Sequence, residues 1–397
     1  MKVEAGEGEE ALSHTLEWLD ALIAFPSVSS ESNLPVIDFL TRHLSGLGFD
    51  LHRIGDPTGT KAGLLASIGP RDRPGILLSG HTDVVPVAGQ DWSSDPFRLR
   101  RDDGRVYGRG SADMKGFLAC MLQAAELASK AELTEPLKLA FSWDEELGCL
   151  GIPHMLPKLD ETIGKPHLCI VGEPTEMRIM LGHKGKSFLK AVCHGTTGHS
   201  AMAPQFANAI HLVTEFVTAL RALQADIAAN GYRDPAYDIP YTTVHAARIA
   251  AGTALNIVPD RAVLDFEFRY PAGEDPRTID AAIDAAAREI TARWRAQHPE
   301  AGIEIETVNA YPGLGTAADH EAVALMHRFL ASEANGASYG KVAYGTEGGY
   351  FASAGIPSIV CGPGSMDQGH KPDEFIALSE LAACNAMSRR LVDWLSR

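Results

Sequence analysis

Seven residues in this chain combine a side chain suited to hydrolytic or metal chemistry with a place after an apolar, strand-like run or a tight glycine loop. His81 and Asp83 end the run Gly75-Ile76-Leu77-Leu78; Asp113 follows Arg109-Gly110-Ser111; Glu145 and Glu146 follow Leu137–Trp143; Glu173 follows His167–Val171; His370 closes a segment rich in glycine. Imidazole and carboxylate together suit a borderline divalent cation, and a metal-bound imidazole commonly hands its other nitrogen to a nearby carboxylate. Each signal is weak alone. His-x-Asp at a strand end is most often a pair of polar residues reaching solvent. Asp113 reads equally well as a helix N-cap, and paired glutamates as an acidic helix start. Together, His81, Asp113, Glu146, Glu173 and His370 can share two divalent ions, with one histidine and one terminal carboxylate each and the third carboxylate bridging. Glu145 is then left beside the ions, placed to take a proton from water.

Several elements must bring these groups together. The expected order begins with helices over about 11–24 and 34–47 and strands near 50–54, 62–68 and 75–79. A helix over 116–130 and strands over 137–143 and 167–171 follow. Functional groups gathered at strand ends are usual for open α/β sheets. From about 182 the pattern changes to β-α-β-β-α-β, the split-βαβ or ferredoxin-like unit. The α/β pattern then returns. The expected fold class is a mixed-sheet α/β/α catalytic domain (1–182 and 312–397) with an inserted ferredoxin-like α+β domain (183–311).

Composition restricts partners. A chain of 397 residues with 45% hydrophobic and 22% charged residues is expected to fold into two domains. Its formal charge of -16 disfavours nucleic acid and anionic membranes. No apolar run nears the roughly 18 residues that would span a bilayer, and the opening residues lack a signal pattern, so a cytoplasmic location is expected. The six cysteines form no Cys-x-x-Cys pair, so metal ligands should be histidines and carboxylates.

The motif order resembles the co-catalytic zinc amidohydrolase/peptidase family that includes N-acetylornithine deacetylase, succinyl-diaminopimelate desuccinylase and aminoacylases. The marks are Gly80-His81-Thr82-Asp83-Val84-Val85-Pro86, Gly108–Gly116, Asp144-Glu145-Glu146, Gly172-Glu173-Pro174-Thr175 and Gly369-His370. By that resemblance, His81, Asp113 and Glu173 would hold one zinc, and Asp113, Glu146 and His370 the other, cobalt being a possible substitute. Asp83 would orient His81, and Glu145 would be the general base toward a metal-activated water. The inserted domain would be the lid and homodimer interface. Its His199 would reach the oxyanion from the partner subunit, while Asn256 and Arg269 would contact substrate.

Tyr344-Gly345-Thr346-Glu347 and Cys361–Phe375 resemble the N-acetylornithine deacetylase branch, which adds Glu347 to the substrate-binding candidates. Gly348-Gly349 departs from that branch's pattern. The implied reaction is hydrolysis of N2-acetyl-L-ornithine to L-ornithine and acetate, as in arginine biosynthesis. The alternatives are a succinyl-diaminopimelate desuccinylase or another deacylase or carboxypeptidase acting on N-acyl amino acids. A non-catalytic binding protein on the same fold is the alternative from another class.

Overall fold

The structure, a computed structural model, describes residues 2–331 and 339–397. The chain divides into two compact units. One comprises Met1–Gly182, Leu314–Lys341 and Thr346–Arg397; the other comprises His183–Gly313 and Val342–Gly345. The short return of 342–345 to the second unit was not expected. Its Gly345 lies against the Tyr311 ring, where even a Cβ would come within 2.2 Å.

The first unit is built on a nine-stranded mixed sheet. Its spatial order is Asp50–Gly55, Ala62–Ile68, Leu137–Ser142, Ile76–His81, Leu168–Pro174, Ser358–Gly362, Met180–His183 and Leu314–Gly315, with Gly340–Val342 also pairing with Met180–His183. The four strands 137–142, 76–81, 168–174 and 358–362 run parallel. They are buried along their whole length, because helices cover both faces. Side chains alternate between those faces. Leu78, Leu139, Ile170 and Cys361 join the large core formed with Lys2–Ile23, Leu34–Gly46, Lys115–Ser129, Glu321–Leu330 and Leu378–Leu395. The helices Ile152–Thr162 and Gly348–Ser353 pack on one another and on the opposite face.

Parallel register brings the chemistry to one edge. His81 pairs with Ser142, and Ser79 with Val171, so the chain leaves all three strands side by side. Gly172, on the last of these strands, faces the Phe117 ring so closely that an alanine Cβ would come within 2.0 Å. Gly172→Ala is expected to lower stability by about 1–3 kcal/mol, as overpacking does, measured as a lower urea midpoint.

In the second unit, four antiparallel strands lie in the order Thr243–Ala251, Arg261–Tyr270, Gly185–His194 and Gly302–Tyr311. Strand 185–194 alternates buried and half-buried residues, as a sheet covered on one face requires. Its inward Leu189 and Ala191 meet Leu212, Phe216 and Ile283 of the helices Ala209–Asn230 and Pro276–Arg295. Those helices start at Asn208 and Asp275, whose side chains accept from the Ile210 and Arg277 amides. The β-α-β-β-α-β order with this pairing is the ferredoxin-like arrangement.

Candidate metal centre

His81 sits at the end of the central strand and is fully buried. Its Nδ1 lies 2.9 Å from the Asp83 carbonyl, which turns Nε2 toward Asp113 Oδ1 at 3.1 Å and Glu173 Oε1 at 3.9 Å. Asp113 precedes helix Lys115–Ser129 but does not cap it. The N-cap is Met114, and no side chain bonds there. The Asp113 carboxylate instead spans two imidazoles, with Oδ2 3.4 Å from His370 Nε2. His370 in turn lies 3.0 Å from Glu146 Oε2.

The paired glutamates are not a helix start either. They ride on a turn in which the Gly148 and Cys149 amides donate to the Glu145 carbonyl, and the next helix begins at Ile152. Asp83 organises this turn. Its Oδ1 accepts from the Glu145 amide at 3.2 Å and its Oδ2 from the Glu146 amide at 3.3 Å, while Ser29 Oγ donates to Oδ2 at 2.7 Å. The turn enters through Asp144 in the left-handed region at φ +53°, and Lys61 Nζ binds both the Asp144 carboxylate and the Ser29 carbonyl. Asp144 and Lys61 keep only 11% and 13% of their side-chain surface exposed. Lys61→Met leaves a buried carboxylate without its partner and is expected to cost roughly 3–5 kcal/mol, read as a fall in unfolding free energy.

Electrostatics show what kind of charge the cluster suits. Burial pushes the Glu145 and Glu173 carboxyls well above the usual range, with carboxylate neighbours adding to the effect. Burial and the charge on Asp113 push Glu146 up to about 7. Asp113 is held well below its ordinary value: burial opposes its charge, but the hydrogen bonds of His370 and His81 prevail. His370, bonded to Asp113 and Glu146, is raised to about 10. Among the described residues, Glu146 Oε1 and Glu173 Oε1 are buried without a hydrogen-bond partner. Ligand atoms of His81, Asp113 and Glu146 lie within 4.8 Å of one another, as do those of His81, Glu145 and Glu173. Buried carboxylates need neutralisation. Divalent cations would supply it, and this imidazole and carboxylate donor set fits them. The six cysteines are buried; Cys149 Sγ lies 3.4 Å from Glu145 Oε1 as a donor to it.

The other expected site residues divide by unit. Glu347 belongs to the first, with 1% exposure, and its Oε2 is 3.5 Å from Ser79 Oγ. It lies beside the strand that ends in His81, and its charge acts on Glu145. Burial raises its carboxyl to about 7. His199 and Asn256 are neighbours in the second unit. The Ser200 amide donates to the Asn256 carbonyl at 3.0 Å, and exposed His199 opens a short 3₁₀ turn with Nδ1 accepting from the Ala201 amide. Arg269 Nε donates to Glu267 Oε1 at 2.8 Å, a carboxylate also held by Lys186. Sequence reasoning gave no role to Lys61, Gln90, Arg109 or Glu374, and read Ser29 only as a possible cap of the second helix, whose N-cap is Asn33. Arg109 and Glu374 stand inside the motifs already singled out, but nothing in their spacing shows that they meet.

Comparisons with known proteins bear on the family and the fold. A profile described as Peptidase family M20/M25/M40 matches residues 77–394. An acetylornithine deacetylase of Proteus mirabilis (strain HI4320) is 33% identical over 386 residues, spanning 95% of this chain and 96% of that protein. Among solved structures, an M20 family metallo-carboxypeptidase, Sso-CP2 from Sulfolobus solfataricus, aligns with a TM-score of 0.76 at 19% identity, covering 96% of this chain and 99% of that one. The Bacillus subtilis YXEP protein, a dinuclear metal binding peptidase, aligns at 0.65 and 15%, covering 98% and 99%. At these identities the two structures speak for the fold alone. No described helix is long and apolar enough to cross a membrane.

Proposed function

Because this chain belongs to peptidase family M20/M25/M40 and is a metal-dependent amidohydrolase, we propose that it hydrolyses the acetamide of N2-acetyl-L-ornithine to L-ornithine and acetate. The observation that carries hydrolysis is the convergence of His81, Asp113, Glu146, Glu173 and His370 on one strand edge, with Glu145 beside them. The choice of acyl amino acid is supported by the full-length likeness to proteins named acetylornithine deacetylase.

Bound divalent ions, zinc in this reading, would supply Lewis acidity toward the amide carbonyl and toward water. His81 and Glu173 would hold one ion, Glu146 and His370 the other, and Asp113 both. The protein's own part in the reaction is proton transfer and orientation. Glu145 takes the proton of the attacking water and returns it to the departing nitrogen. The Cys149 thiol steadies one of the Glu145 oxygens. Asp83 keeps Glu145 and Glu146 in line through their amides while its own carbonyl orients His81.

His199 is assigned to the developing oxyanion, donated by a partner subunit in a homodimer formed through the second unit. His199→Ala is expected to lower kcat by about 10²–10³-fold, as loss of one oxyanion donor does, and to change KM less. Mixing His199→Ala and Glu145→Ala protomers should restore part of the activity; no recovery would place the histidine in its own subunit's reaction. The substrate test is a panel on zinc-loaded and cobalt-loaded protein: N2-acetyl-L-ornithine, succinyl-diaminopimelate, acetylated neutral amino acids and dipeptides. Acetylornithine should give the highest kcat/KM. A preference for neutral side chains or for dipeptides would overturn the assignment.

A further inference from the structure

Arg109 and Glu374 are each only 1% exposed, and they form an ion pair at 2.7 Å. Burying two charges is costly unless their remaining donors and acceptors are also satisfied. Here most of those bonds go to the backbone of two ligand-bearing segments. Glu374 Oε1 accepts from the Ala112 amide at 2.9 Å and the Asp113 amide at 3.0 Å, and Oε2 from the Gly110 amide at 3.0 Å. One carboxylate therefore fixes the turn from which the Asp113 side chain projects.

Arg109 reaches the other segment. Its Nη1 donates to the Lys371 carbonyl at 3.3 Å, its Nη2 donates to Gln90 Oε1, and its guanidinium lies 5.0 Å from the Trp92 ring centre. Gln90 then donates from Nε2 to the His370 carbonyl at 2.9 Å. His370 itself sits in the left-handed region at φ +63°, where a non-glycine residue needs outside support. Its ring is 53% exposed, so packing does little to hold it. Its ring meets Asp113 and Glu146, and its backbone is held by the contact through Gln90 and, one residue on, by the contact from Arg109.

We propose that Arg109, Glu374 and Gln90 form one clamp that positions the ligands Asp113 and His370, with Gln90 serving the His370 metal position alone and Glu374 serving both positions. These are positioning residues, since none touches the reacting atoms. The inference rests on the reading of His81, Asp113, Glu146, Glu173 and His370 as metal ligands. Asymmetry is its distinctive content. Asp113 contacts both imidazoles, so disturbing its turn reaches both positions. The His370 carbonyl is held from one side only, so losing Gln90 reaches one.

The test is a cobalt titration of full-length protein, followed by visible absorption and calorimetry, with circular dichroism as the control for folding. Wild type should bind two equivalents, one of which His370→Ala abolishes. In Gln90→Leu, at a half-exposed site, that same equivalent should weaken by about 10–100-fold, with an altered visible band, while the other is unchanged. In Glu374→Gln both equivalents should weaken. If both variants are folded and bind two equivalents with wild-type affinity and spectrum, the clamp is refuted. Equal weakening of both equivalents in Gln90→Leu refutes the asymmetry. Wild-type protein that takes up no cobalt refutes the ligand reading itself, and the clamp with it.

Discussion

Glu145→Ala is expected to lower kcat by about 10²–10⁴-fold while the protein keeps its fold and its full complement of metal, the signature of a lost general base. The expectation follows from how Glu145 is held. Its backbone is fixed independently of its carboxylate, by the Asp83 side chain at its amide and by the Gly148 and Cys149 amides at its carbonyl. Removing the carboxylate therefore leaves the turn, and Glu146 with it, in place. Single-turnover kinetics with elemental analysis of the same sample checks both halves of the claim. Because a Glu145 oxygen lies within 4.8 Å of His81 and Glu173 ligand atoms, the contrary result is specific. A variant that has lost an ion would make Glu145 a ligand, and the base would have to be sought elsewhere.

Asp113→Ala should have a larger effect on metal content than any other single replacement. Its two oxygens face different imidazoles, Oδ1 toward His81 and Oδ2 toward His370. No other carboxylate is seen to touch both rings among the described residues. Alanine there would leave two buried or half-buried imidazoles and three carboxylates without a shared ligand. The expected outcome is loss of both ions on dialysis and activity at background. His81→Ala, by contrast, should lose one ion. Equal metal content in the two variants would contradict the bridging role.

Much of this centre could be read from the residues, for a physical reason. Ionisable groups directly after buried strands are expensive to keep unless they are used. His81, Glu145, Glu146 and Glu173 all stand there, and parallel register carries them to one edge. The split β-α-β-β-α-β unit was readable because strand-like and helical runs follow one another in that order along the chain. What could not be read was pairing between distant segments. Nothing near Lys61 signals Asp144, and nothing near Arg109 signals Glu374, because a buried ion pair depends on tertiary closure rather than on local pattern. The position of Glu347 could not be read from its motif, and the structure buries it with Oε2 3.5 Å from Ser79 Oγ. The lone-residue readings of Asp113 as a cap and of Glu145-Glu146 as a helix start also fail, since both elements begin later and without them.

The place of strand Ser358–Gly362 in the sheet matters while the polypeptide is still emerging from the ribosome. It inserts between Leu168–Pro174 and Met180–His183, both made long before it and separated from it by the whole second unit. Until residue 362 has emerged, the strand that delivers Glu173 has an open edge, the kind of surface that invites pairing with other chains. His370 and Glu374 follow within the same stretch. Completion of the sheet, arrival of the last imidazole and arrival of the carboxylate that steadies it are thus a single late event in the life of the nascent chain. A molecule truncated shortly before residue 358 would be left with an unsealed sheet and an incomplete ligand set at once.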